Sequence, residues 1–192
     1  MTSYLLAGPA QEPVSLVSMK AFLRLEDDAE DGLVEALISA ARIHIEAITA
    51  RALLSQRWRA VIDGWPESRA IRLAVSPMIE IEAIRCFDEG DQAHEIEREQ
   101  FLPDGQAVPA RIICPVSVAG APVLRARMGI EIDYLAGFGD APEDVPGDLV
   151  QSLKTLVAYW FENRDSVIVS GAGASVPAGF ERLVSKYKRV RL

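Results

Sequence analysis

Two histidines, two cysteines and one acidic cluster are the groups in this chain that could do chemistry, and none has the spacing a reaction requires. His44 falls on the apolar side of a helical pattern, where a core or interface histidine is the ordinary outcome. His94 stands among Glu95, Glu97 and Glu99, a solvated edge with only one good nitrogen ligand for a metal. Cys86 (beside Ile84 and Phe87) and Cys114 (after Ile112 and Ile113) fit no zinc spacing and cannot build a disulfide framework. They read as buried, reduced thiols in strands. Asp27, Asp28, Glu30 and Asp31 lack the alternating acidic spacing of a calcium loop, although Asp31-Gly32 is a partial echo of it. Gly171-Ala172-Gly173 lacks the third glycine, the preceding strand and the following helix of a dinucleotide-binding turn. No Gly-x-Ser-x-Gly, His-Glu-x-x-His or P-loop is present. The sequence offers no catalytic, cofactor or metal residues and points away from an enzyme.

The elements that position these residues begin with an extended stretch over 1–14, where Pro9 and Pro13 break any helix. Ser15 is placed to cap a short helix through about Leu25 that buries Leu16, Met19, Phe22 and Leu23. Asp27 or Asp28 then caps a longer helix to about Ala50, with the acids favouring the positive end of its dipole. Its stripe is Leu33, Leu37, Ala41, His44 and Ile48, widened by Val34, Ile38 and Ile45.

From Ser55 the period changes. Arg57–Ile62 reads as a strand ending at the Asp63-Gly64-Trp65-Pro66 turn, and Ile71–Leu73 as a second. Ile79–Phe87 alternates, with Ile79, Ile81, Ala83, Arg85 and Phe87 on one face, and Asp88-Glu89-Gly90-Asp91 closes it. Further strands are expected at Arg111–Cys114, Val123–Ala126 and Gly129–Leu135, as in a small antiparallel sheet or barrel. Pro146 suits the first turn of a helix to about Asn163, striped by Leu149, Leu153, Leu156 and Trp160, with Val150, Val157 and Phe161 beside them. Residues 164–178 read as a loop, and Gly179 to about Tyr187 as a last helix. The fold class is α+β: a helical frame of two N-terminal helices, a long helix near 146–163 and a short C-terminal helix, with an antiparallel β insertion. One composite domain of three parts follows: 1–54 helical, 55–136 β-rich, and 137–192 helical with a tail.

The 192 residues carry a net charge of −8, unevenly distributed. No acid follows Glu181, whereas Arg182, Lys186, Lys188, Arg189 and Arg191 are all basic. The first 181 residues hold 15 basic against 28 acidic side chains, a body that repels a phosphate backbone. No run approaches a membrane span, and the N-terminus lacks the basic region of a signal peptide, so a cytoplasmic protein without a membrane partner is expected. The basic tail has three readings: a solubilising end, a nucleic-acid arm, or a peptide docking into a partner through Tyr187, Val190 and Leu192. In the long helix, Trp160 and Phe161 read as core anchors. Tyr159 points elsewhere, toward a neighbouring subunit, and Glu162 and Arg164 have the opposite charges of an intersubunit pair.

The order of several segments resembles the head–tail connector (adaptor) proteins of long-tailed bacteriophages, including their gene-transfer-agent versions. They are Pro13-Val14-Ser15-Leu16, Lys20, Leu23-Arg24-Leu25 and the acids from Glu26 to Asp31, then Ala41 and Ile45-Glu46. Asp133 to Gly139, Val145-Pro146, Tyr159 to Arg164 and Val176-Pro177 complete the series. The resemblance implies a virion structural protein at the head–tail junction, made in the bacterial cytoplasm. It implies a ring homo-oligomer, expected to be a dodecamer, with portal protein above and stopper or tail protein below. DNA passes through its channel without sequence-specific binding. The tail residues Arg182, Lys186, Tyr187, Lys188, Arg189, Val190, Arg191 and Leu192 become the portal-binding segment, and Tyr159, Glu162 and Arg164 the subunit interface. The loop over 164–178 is then expected to order on assembly. The alternatives are a stopper or tail-completion protein, and a DNA-binding regulatory module using the basic tail.

Overall fold

The computed structural model of the chain describes residues 1–163 and 176–188. Two compact units are present, one of Met1–Ala10 with Ser55–Asp140, the other of Gln11–Leu54 with Ala141–Leu192. The first is built of antiparallel sheets and the second of helices, an α+β fold.

In the helical unit, α1 (Leu16–Leu23) begins as its sequence demands, with the Ser18 amide donating to Ser15 Oγ at 3.2 Å. It stops earlier than expected, because Arg24 turns into the left-handed region at φ 59°. Only Met19 of its expected core set is fully buried, and Phe22 is 43% exposed. The longer α2 (Asp31–Thr49) has no side-chain cap. The acids before it do other work: Lys20 Nζ meets Asp28 at 2.5 Å and Asp31 at 2.6 Å, and Asp27 accepts the Ala29 amide. A lysine on α1 thus competes successfully for the carboxylates that the local pattern assigns to the helix end. The buried stripe of α2 is Val34, Ile38, Ala41, Ile45 and Thr49, so the core lies toward the flank of the expected stripe that carries Val34, Ile38 and Ile45. Leu33, Leu37, His44 and Ile48 are half-buried.

Helix α3 (Gly147–Glu162) follows a 3-10 turn at Pro142–Asp144, with Pro146 at the cap position rather than inside the first turn. Leu149, Leu153, Leu156, Val157 and Trp160 are buried as the periodicity requires, while Phe161 is half-buried rather than a core anchor. The expected last helix divides into α4 (Phe180–Val184) and a 3-10 turn over Ser185–Tyr187. Of the expected loop, 164–175 lies outside the described residues.

In the sheet unit, β1 (Thr2–Ala7) and β2 (Gln56–Ile62) pair antiparallel, so part of the stretch read as merely extended is a strand. The five-stranded sheet adds β4 (Met78–Phe87), β5 (Ala93–Ile96) and β8 (Ile130–Ala136) in the order β1-β2-β8-β4-β5. A second sheet, in the order β3-β7-β6, joins β3 (Ala70–Arg72), β6 (Leu102–Asp104) and β7 (Arg111–Ile113). Val123–Ala126 forms no strand and contributes a single bridge, Asp88 to Leu124.

Strand β4 departs most from the expected alternation. Its pairing with β8 slips between Met78 and Glu80 and again between Ile81 and Ala83, leaving Ile79 and Glu82 as extra residues. Each bulge reverses the phase of the side chains that follow. The buried residues are therefore Met78, Ile81, Ile84 and Cys86, and Ile79 is left exposed. Gly105 is required by a close approach: a Cβ there would lie 2.2 Å from the Met78 carbonyl oxygen.

Candidate assembly surfaces

The tail is the first of the expected sites to be located. Phe180 and Val184 are fully buried in the helical unit, and the 3-10 turn that follows is fixed by polar groups. Tyr187 Oη donates to Asp148 Oδ1 at 2.6 Å, and Lys186 Nζ lies 2.5 Å from Asp148 Oδ2. Arg51 Nε donates to the Tyr187 carbonyl at 3.3 Å, and its guanidinium stands 5.5 Å from the centre of the Tyr187 ring. Lys188 pairs with Glu181. Partial burial pushes the Asp148 carboxyl up, but the Lys186 and Tyr187 bonds outweigh this and hold it below its ordinary value. Arg182 is exposed. Arg189, Val190, Arg191 and Leu192 lie outside the described residues, as do Arg164 and Gly171-Ala172-Gly173.

His44 is half-buried against aromatic rings of the same unit. Its ring stands edge-on to Trp160 and tilted against Phe180, each at 5.8 Å between centroids. Desolvation in this aromatic setting lowers its pKa, with Glu181 opposing and Lys188 assisting. Tyr159 is half-buried, with its carbonyl accepting from the Asn163 amide and side chain, and Glu162 is exposed. The outer face of α2 carries Ala36, Ala40, Ile43 and Ala47, all exposed and all uncharged. Solvent-facing helix positions are ordinarily polar, so this face has the character of a covered one.

The sheet unit presents a different surface. Arg57 and Arg59 on β2 stand on the same face as Glu131 and Asp133 on β8, with Arg85 on β4 beside them. Arg59 Nε is 2.5 Å from Asp133 Oδ1, Arg85 Nη1 is 2.7 Å from Asp133 Oδ2, and Arg59 Nη1 is 3.0 Å from Glu131. Burial raises the Asp133 pKa, but the two arginines outweigh it and hold the carboxyl below its ordinary value. His94, expected in a loop, lies on β5 with Nε2 2.7 Å from Asp88 Oδ2. Among the described residues no group of three His, Cys, Asp or Glu is placed to hold a metal. At the opposite edge, β1 exposes Tyr4, Leu5 and Leu6 within a stretch, Met1 to Gln11, that has no charged side chain.

Asp148, Arg51 and the Arg59–Asp133–Arg85 cluster are the residues that sequence reasoning missed. Opposite charges at i, i+2 in two strands, Arg57-x-Arg59 and Glu131-x-Asp133, were an available signal for the cluster. Asp148 carried none, since an acid in a first helical turn already has a local explanation.

The model of the phage gp6-like head-tail connector protein family matches residues 13–83. A chain from the neck of an empty gene transfer agent particle, computed with C6 symmetry, is 25% identical with a TM-score of 0.80. That alignment covers 100% of this chain and 97% of the other. Two further chains share the fold at 23% identity and the same coverage. One is from the virion of a native gene transfer agent particle (TM-score 0.81), the other from a native neck computed with C12 symmetry (0.75). No curated protein matches the chain. The fold over the whole chain is that of these neck chains, and residues 13–83 carry the pattern of the head-tail connector family.

Proposed function

We propose that the chain is a subunit of a homo-oligomeric ring at the head–tail junction of a phage or phage-like particle, between the portal and the stopper or tail protein. The observation that carries this reading is the full-length likeness, at 25% identity, to a chain of a symmetric particle neck. The outer face of α2, with Ala36, Ala40, Ile43 and Ala47, supports self-assembly, because three alanines and an exposed isoleucine let a neighbouring copy approach without displacing charge. Tyr159 and Glu162 of α3, together with Arg164 beyond the described residues, are assigned to the subunit interface. The role is structural rather than catalytic, and DNA crosses the ring without being gripped, since an excess of acids repels its phosphates. The basic segment from Arg182 through Lys186, Tyr187 and Lys188 to Leu192 is the part assigned to the portal, steered by charge.

Co-purification with the portal protein of the same particle, followed by imaging of the complex, tests the proposal. The expected result is a ring beneath the portal with the terminal residues buried in it. A monomer that ignores the portal and binds duplex DNA with a steep salt dependence would instead support the regulatory reading.

A further inference from the structure

The residues assigned to a partner are not idle in the free subunit. Tyr187 and Lys186 both close on the two oxygens of one carboxylate, Asp148, in the first turn of α3. The same Tyr187 is held from the other side by Arg51, through its carbonyl and its ring. The hold on the C-terminal segment is therefore of two kinds. Helix α4 is fixed by burial of Phe180 and Val184, an apolar contact that is lost only at large cost. The turn over Ser185–Tyr187 is fixed by a phenol hydrogen bond and an ion pair whose lysine side chain is 66% exposed.

We propose that Asp148 is a latch: it occupies Lys186 and Tyr187 in the free subunit and must surrender them before they engage a partner, so that the contact is autoinhibitory. The physical basis is exchange. A half-exposed ion pair contributes little net stability, so trading the Asp148 carboxylate for one on an acidic partner surface is close to neutral. The apolar anchors keep α4 in place during the trade, so the basic segment is presented from a fixed point. The inhibitory role rests on the portal-docking reading above, whereas the latch itself is a property of the free chain.

Hydrogen exchange over residues 184–188 in the full chain tests the latch, with Asp148→Ala and Tyr187→Phe compared to the parent. Both variants are expected to exchange about tenfold faster there, the equivalent of one net hydrogen bond. Unchanged protection in both overturns the latch. Because Asp148 Oδ1 also accepts the Leu149 amide, Asp148→Ala can weaken α3, and Tyr187→Phe, which leaves α3 intact, then carries the test. Association with purified portal tests the inhibition: Asp148→Ala is expected to bind several-fold faster. A loosened segment with no gain in association rate overturns the inhibitory role. Failure of every protein, parent included, to bind portal overturns the connector reading and the inhibition together, and leaves exchange to decide the latch.

Discussion

Arg59 and Asp133, on neighbouring strands of the five-stranded sheet, face each other with Nε 2.5 Å from Oδ1. Arg85 takes the second carboxylate oxygen from the other flank at 2.7 Å. Asp133 is nearly inaccessible, so its charge is tolerable only because two guanidinium groups replace its lost hydration. Removing it leaves those arginines short of a counter-charge. Asp133→Ala is expected to lower stability by about 3 kcal/mol, read from the urea midpoint. A cost below that of an ordinary surface substitution would contradict this arrangement.

The same carboxylate makes the protein sensitive to acid. Its folded pKa lies below the ordinary value of 3.8. Its contribution is thus complete above the unfolded value and disappears as pH falls through the depressed folded one. Stability measured down this acid range should fall more steeply for the parent than for Asp133→Asn. Parallel curves would show that Asp133 does not contribute.

The two bulges in β4 give a paired prediction. Ile84→Ala empties a fully buried site and is expected to cost about 2–5 kcal/mol. Ile79→Ala alters an exposed side chain and is expected to change stability by less than about 0.5 kcal/mol. A larger cost at Ile79 than at Ile84 would mean that the strand follows simple alternation after all.

Cys86 is buried on the inner side of the same strand, and desolvation pushes its thiol up to about 11. The thiolate is the reacting species. The native protein at pH 8 should therefore react with a thiol reagent at Cys86 far more slowly than the urea-unfolded chain. Native labelling at the unfolded rate would place the thiol at the surface.

Phe180 closes the aromatic pocket around His44. Its replacement by alanine is expected to cost about 3–5 kcal/mol and to return the His44 pKa toward its ordinary value of 6.5, as water enters. Titration of the imidazole by NMR reads the shift, with Glu181 and Lys188 as the charges facing the ring. An unmoved pKa would show that Phe180 is not what keeps water from the ring.

What the chain's own sequence determined is what short-range physics controls. Ser15 at a helix start, the apolar repeat from Leu149 to Trp160, the Asp88–Asp91 turn and the sparsity of reactive side chains depend on neighbours a few residues away. The ordered landmarks from Pro13 to Asp31 were likewise legible, and they fall in the stretch matched by the connector family. Tertiary structure decided whichever contacts had competing partners. Lys20 drew Asp28 and Asp31 away from the helix end, and the bulges at Ile79 and Glu82 rotated half of β4. Arg59 met Asp133 across 74 residues, and Tyr187 met Asp148 across 39. Local pattern specifies that a carboxylate is present and which way a regular element turns. Which cation reaches that carboxylate is set by strand register and helix packing, and these form only when distant segments close on one another.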